Sequence, residues 1–121
     1  MNLKEIPVVA GIKEPAEYKY IVAEVECADS KHIVVRADIF VRKESEFGRE
    51  IEHRDVYRKL CGELEKGTEV RILGGGWLWV KEQSISVGHY SATYGVEPDR
   101  EQTCTILRKA FPDRKIRNLD T

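Results

Sequence analysis

Glu52-His53-Arg54-Asp55-Val56-Tyr57-Arg58-Lys59-Leu60 is where the chain leaves a strand-like alternation and takes up a helical spacing. Val56, Tyr57, Leu60, Cys61 and Leu64 fall on one face of an amphipathic helix. The spacing carries this helix to about residue 66, with Gly67 placed as a left-handed terminator and Lys66 favourable at the negative end of the dipole. His53 falls in the first turn or just before it. There the leading backbone N–H groups lack intrahelical partners and the dipole is positive, which suits an anion. An imidazole held at this end of a helix tends to stay neutral and can serve as base or nucleophile. Periodicity alone favours the plainer reading, that His53 is a solvated first-turn residue.

Upstream, residues 18–26 read as the first firm strand, with Lys19, Ile21, Ala23 and Val25 sharing one face. Lys19 lies near the strand end, either snorkelling to solvent or reaching a site at the sheet's rim. After a turn at Asp29-Ser30-Lys31, residues 32–42 alternate. Ile33, Val35, Ala37, Ile39 and Val41 oppose Val34, Arg36, Asp38, Phe40 and Arg42, which predicts an antiparallel hairpin with the preceding strand. The charged stretch 43–50 is a loop delivering the chain to the helix. Residues 7–10 form a short extended piece stopped by Gly11.

Downstream, residues 68–73 form another strand, followed by Gly74-Gly75-Gly76 and Trp77-Leu78-Trp79-Val80. Three glycines against a strand predict a bulge or a close approach to the backbone. No Gly-Lys-Ser/Thr follows them, so they are not a nucleotide-binding P-loop. Trp77 and Trp79 share a face and are expected in the core or an interface. Residues 84–90 form a further strand, and Tyr90-Ser91-Ala92-Thr93-Tyr94-Gly95 is a turn rich in hydroxyls and backbone donors. Pro98-Asp99-x-x-Gln102 starts a second helix with Thr103, Ile106, Leu107, Ala110 and Phe111 on its buried side. Residues 115–118 add a last short strand. The expected fold is α+β, with residues 1–121 as one domain: a single mixed sheet of five to six strands, its apolar face covered by two helices.

The 121 residues are 41% hydrophobic and 34% charged, with a net charge of −1 and both signs interspersed. That balance argues against a nucleic-acid binder, which would show a basic patch. No apolar run is long enough to span a bilayer, and the opening Met1-Asn2-Leu3-Lys4-Glu5 lacks a signal-peptide core. Three widely spaced cysteines, Cys27, Cys61 and Cys104, point to reduced thiols, and Cys61 and Cys104 to small core residues. A cytoplasmic monomer is expected. Neither His32, His53 and His89 nor the cysteines show metal-ligand spacing. A Cys-x5-Arg phosphatase loop is absent, since Gly67 and Ala110 stand where the arginine would follow Cys61 and Cys104.

Three segments together resemble the protein histidine phosphatase family, also called Janus/Ocnus. They are Tyr18-Lys19-Tyr20-Ile21-Val22; His53-x-Asp55-Val56-Tyr57-x-Lys59-Leu60; and Leu73-Gly74-Gly75-Gly76 through Tyr90-Ser91-x-x-Tyr94-Gly95, with a helix ending Phe111-Pro112-Asp113. The resemblance implies that His53 is the catalytic histidine and Lys19 the phosphate-binding lysine. It further implies that Ser91, Ala92 and Thr93 form the substrate-binding turn. Arg36 resembles an arginine near the family's site, and Arg54 is a further candidate cation. The family often has Arg where Trp77 stands and Gly where His89 stands; Thr93 replaces a smaller residue, and the segment from Arg36 to His53 is longer.

The implied activity is metal-independent hydrolysis of the P–N bond of phosphohistidine in proteins, or of phospholysine or small phosphoramidates, with no cofactor. His53 would activate water or attack phosphorus itself. The alternative is a non-catalytic module that binds phosphate or phosphoproteins on the same fold.

Overall fold

Tyr20-Ile21-Val22-Ala23 is apolar at both parities of a strand, which an extended segment tolerates only when both of its faces are covered. The computed structural model describes residues 5–40 and 51–120 and shows that this is so. Six strands form one mixed sheet: β1 (Val9–Ala10), β2 (Ala16–Cys27), β3 (Ser30–Ile39), β4 (Glu69–Val80), β5 (Ser84–Gly88) and β6 (Lys115–Asn118), in the spatial order β1-β3-β2-β4-β5-β6. β2 pairs antiparallel with β3 and β4, and β4 with β5, whereas β1–β3 and β5–β6 are parallel. Two helices, α1 (His53–Glu63) and α2 (Arg100–Ala110), complete the α+β architecture.

The helices do not share one face of the sheet, as the sequence pattern implied. Tyr18, Tyr20 and Val22 pack with Leu78, Val80, Ile85 and Val87 against Cys104 and Leu107 of α2. Ile21, Ala23, Val25 and Val34 pack against Ile51 and against Val56 and Leu60 of α1. Each face therefore has its own core, and a fully buried Leu or Ile in either contributes about 1.5–3 kcal/mol.

Four details differ from expectation. Leu64 leaves the helix with extended backbone (ψ 146°) and joins the apolar layer around α1, so that helix ends at Glu63. Gly67, with φ +96°, serves a separate turn closed by Thr68 N–H donating to the Glu65 carbonyl. The buried stripe of α2 is Arg100, Thr103, Cys104 and Leu107, while Ile106 and Phe111 are half-buried and Ala110 is exposed. β5 stops at Gly88 because His89 turns into the left-handed region at φ +59°. The expected strand end at residues 41–42 and the loop 43–50 lie outside the described residues.

The triple glycine does form a bulge. Val22 pairs with Gly74 and Ala23 with Ile72, leaving Leu73 as the extra residue of β4. The bulge lies where α1 begins over the sheet, which sets the stage for the site.

Candidate functional site

α1 begins directly above β4, and the glycines there are required by closeness. A Cβ on Gly75 would lie 2.3 Å from the Tyr20 carbonyl oxygen and 3.3 Å from His53 Cδ2. The imidazole therefore rests on bare backbone. His53 is the first residue of α1 and is buried, 5% exposed. Its entry is fixed by Glu52 N–H donating to the Asp55 carboxylate at 2.8 Å.

His53 Nε2 lies 2.8 Å from the Gly76 carbonyl oxygen. A carbonyl only accepts, so Nε2 carries the proton, and in the neutral ring Nδ1 keeps its lone pair. Nδ1 has no hydrogen-bond partner among the described residues and is not sealed from solvent. Burial pushes the imidazole below its usual pKa; the bond to Gly76 opposes this and the nearby Lys19 ammonium adds to it. The ring is thus an oriented neutral base.

A cavity of about 540 Å³ opens beside this ring, lined by Lys19, His53 and Ala92 together with Glu17, Trp77, Trp79, His89 and Tyr90. Lys19 is held between aromatic rings, its Nζ 5.0 Å from the Phe40 centroid and 5.2 Å from that of Trp77. The turn after β5 closes on itself. Ser91 Oγ accepts from Tyr94 N–H at 3.0 Å, the Ser91 carbonyl accepts from Gly95 N–H at 2.8 Å, and Gly75 N–H donates to the Gly95 carbonyl at 2.9 Å. Ser91 is buried and shapes the turn, whereas Ala92 and Thr93 are exposed, and their N–H groups donate to nothing among the described residues. The N–H groups of His53 and Arg54 likewise lack intrahelical acceptors. A dianion in the cavity would meet the Lys19 ammonium, the backbone at His53 and Ala92, and a neutral base.

Two of the expected cations are placed otherwise. Arg36 is buried with its guanidinium already occupied. Nε and Nη2 donate to the Glu63 carboxylate at 2.7 and 3.0 Å, and other N–H groups reach the Pro7, Val8 and Val35 carbonyls. It borders a separate hollow of about 450 Å³ with Lys59, Asp38 and Glu63, and works there as a clamp on the β1 edge. Arg54 is exposed, paired with Glu52 at 2.7 Å, and does not line the cavity.

Trp77 and Trp79, expected in the core or an interface, are half-buried cavity walls. Sequence reading also missed a buried polar network under the site. Arg100 Nη1 donates to the His89 carbonyl at 2.7 Å and Nη2 to the Gly75 carbonyl at 3.0 Å; the guanidinium pairs with Glu97 at 2.9 Å and with Asp120. Tyr20 and Thr103 hydroxyls both donate to Glu97 at 2.7 Å. Burial and the Glu97 carboxylate push the Tyr20 hydroxyl far above its usual pKa, so it stays a donor. The only local signal was Glu97-x-x-Arg100 at a helix start, an unremarkable surface spacing by itself.

Residues 3–115 match the family model described as the Janus/Ocnus family. No curated protein matches the chain. Among the described residues, no helix is long and apolar enough to cross a membrane.

Proposed function

The chain belongs to the Janus/Ocnus family, and we propose that it is a phosphatase acting on the P–N bond of phosphohistidine in proteins or of small phosphoramidates. The observation that carries this reading is His53. Its Nε2–H is committed to Gly76 and its Nδ1 is open, in a cavity shared with Lys19 and with Ala92 of the turn after β5, whereas Ser91 and Thr93 do not line it. P–N bonds are labile, so positioning and charge stabilisation are the main tasks. Lys19 and the backbone at His53 and Ala92 hold the phosphoryl oxygens. His53 Nδ1 takes a proton from water as the water oxygen bonds to phosphorus and the P–N electron pair leaves with the amine nitrogen. In the covalent variant Nδ1 itself attacks, and water then releases phosphate from the phosphoimidazole. No metal, cofactor, nucleic acid or membrane enters this scheme, and a cytoplasmic setting suits its reduced thiols.

Hydrolysis of phosphoramidate in the presence of EDTA tests the reading. We expect turnover in the wild type, its loss in His53→Ala, and a KM raised roughly tenfold or more in Lys19→Met. Labelled phosphate trapped on the wild type by rapid quench, and absent from His53→Ala, selects the covalent variant. Binding without turnover overturns the phosphatase and leaves a phosphate-binding module, a role the loss of a cation at Trp77 would fit.

A further inference from the structure

One wall of the cavity is left unused by the phosphoryl chemistry. Trp77 and Trp79 project from the same face of β4, their ring centroids 6.5 Å apart and their planes within 19° of parallel. They form one apolar strip beside the cavity, and both are only half-buried. His89 also lines the cavity, its ring 5.3 Å from Trp79 and 6.3 Å from Trp77 and steeply inclined to both.

The two ends of the strip differ in charge. Lys19 pairs across the strands with Trp77, and its ammonium lies against that ring. Glu17 pairs across the strands with Trp79, also lines the cavity, and has no ion pair among the described residues. Two residues apart on one strand face, these positions are separated by about 7 Å.

We propose that the Trp77–Trp79 strip is a leaving-group platform, which selects flat aromatic leaving groups over aliphatic amines. The ring stacks on the tryptophans, its phosphoryl end lies at Lys19 and His53, and its distal N–H donates to Glu17. When water adds its oxygen to phosphorus and gives its proton to His53, the P–N electron pair returns to the ring. A ring bearing its distal proton then departs neutral. Trp77 and Trp79 are specificity residues for the reaction proposed above, and the inference rests on that reading.

Two measurements keep the failures apart. The first needs no turnover: binding of phenylphosphonate and of propylphosphonate to the intact protein, followed by titration calorimetry. The wild type should prefer the phenyl compound roughly tenfold, and Trp79→Leu should lose that preference while Trp79→Phe keeps most of it. Equal affinities in the wild type, or a preference that survives Trp79→Leu, overturns the platform whether or not the protein is a phosphatase. The second is the ratio of kcat/KM for a phosphohistidine peptide to that for phosphoramidate, whose ammonia leaving group is too small to stack. This ratio should fall roughly tenfold in Trp79→Leu, while the phospholysine-to-phosphoramidate ratio stays within about twofold. A fall in both ratios together assigns Trp79 to general architecture and overturns the proposal. Absence of phosphoramidate turnover sinks the phosphatase reading, and the phosphonate comparison still decides the platform.

Discussion

Replacing Arg100 by Met removes the one guanidinium that joins α2 to the floor of the cavity. The side chain is 5% exposed and donates to the carbonyls of Gly75 and His89 and to the carboxylates of Glu97 and Asp120. Methionine fills much of the volume, so the main loss is electrostatic. Glu97, 2% exposed at its side chain, would keep its charge with only the Tyr20 and Thr103 hydroxyls as donors. Stranding one member of a buried pair costs about 3–5 kcal/mol. A domain of this size has roughly 5–15 kcal/mol of stability, so the variant should fold but unfold at much lower urea, with an unchanged m-value. Removing the stranded charge as well, in Glu97→Gln/Arg100→Met, should recover about 2 kcal/mol, because a neutral amide oxygen still accepts from both hydroxyls. The Gly75 carbonyl adjoins the peptide whose Gly76 oxygen holds His53, so loosening it should also lower kcat on phosphoramidate about 10- to 100-fold with little change in KM. A single variant within about 1 kcal/mol of wild type, or a double variant no more stable than the single, would refute the reasoning.

The depressed pKa of His53 makes stability and activity depend on pH in a defined direction. The unfolded imidazole takes up a proton near 6.5, whereas burial keeps the folded one neutral to lower pH. Its contribution is therefore complete above that value and is lost as pH falls toward the folded pKa. Urea unfolding of wild type and His53→Gln at several pH values between about 7 and 5 should show a steeper loss in the wild type; parallel curves would contradict it. The acid limb of kcat/KM should correspondingly lie below 6.5. Arg36→Met should destabilise by about 1–3 kcal/mol, through lost hydrogen bonds to Glu63 and to the Pro7 and Val8 carbonyls ahead of β1, and leave KM for phosphoramidate within twofold. A tenfold rise in KM at unchanged stability would return Arg36 to the substrate site.

The elements were legible locally, though several of their ends were not. The two helices, the β2–β3 hairpin and the last short strand follow from side-chain period, and the His53 helix start from the change of that period. The motif segments between residues 18 and 118 pointed to the Janus/Ocnus family, whose model matches residues 3–115. Tyr20-Ile21-Val22-Ala23 even carried the sign that both sheet faces are covered, but which helix covers which face is a matter of chain crossing, not of period. The site divides the same way. Residue type and position left His53 and Lys19 with two readings each, and the resemblance of the motif segments singled them out. Tertiary structure alone decided that Gly76 takes the Nε2 proton, that Arg36 is spent on Glu63 and that Trp77 and Trp79 border a cavity. It also brought Glu97 and Arg100 under the floor. Hydrogen-bond geometry and desolvation depend on partners tens of residues away, and no window along the chain contains both.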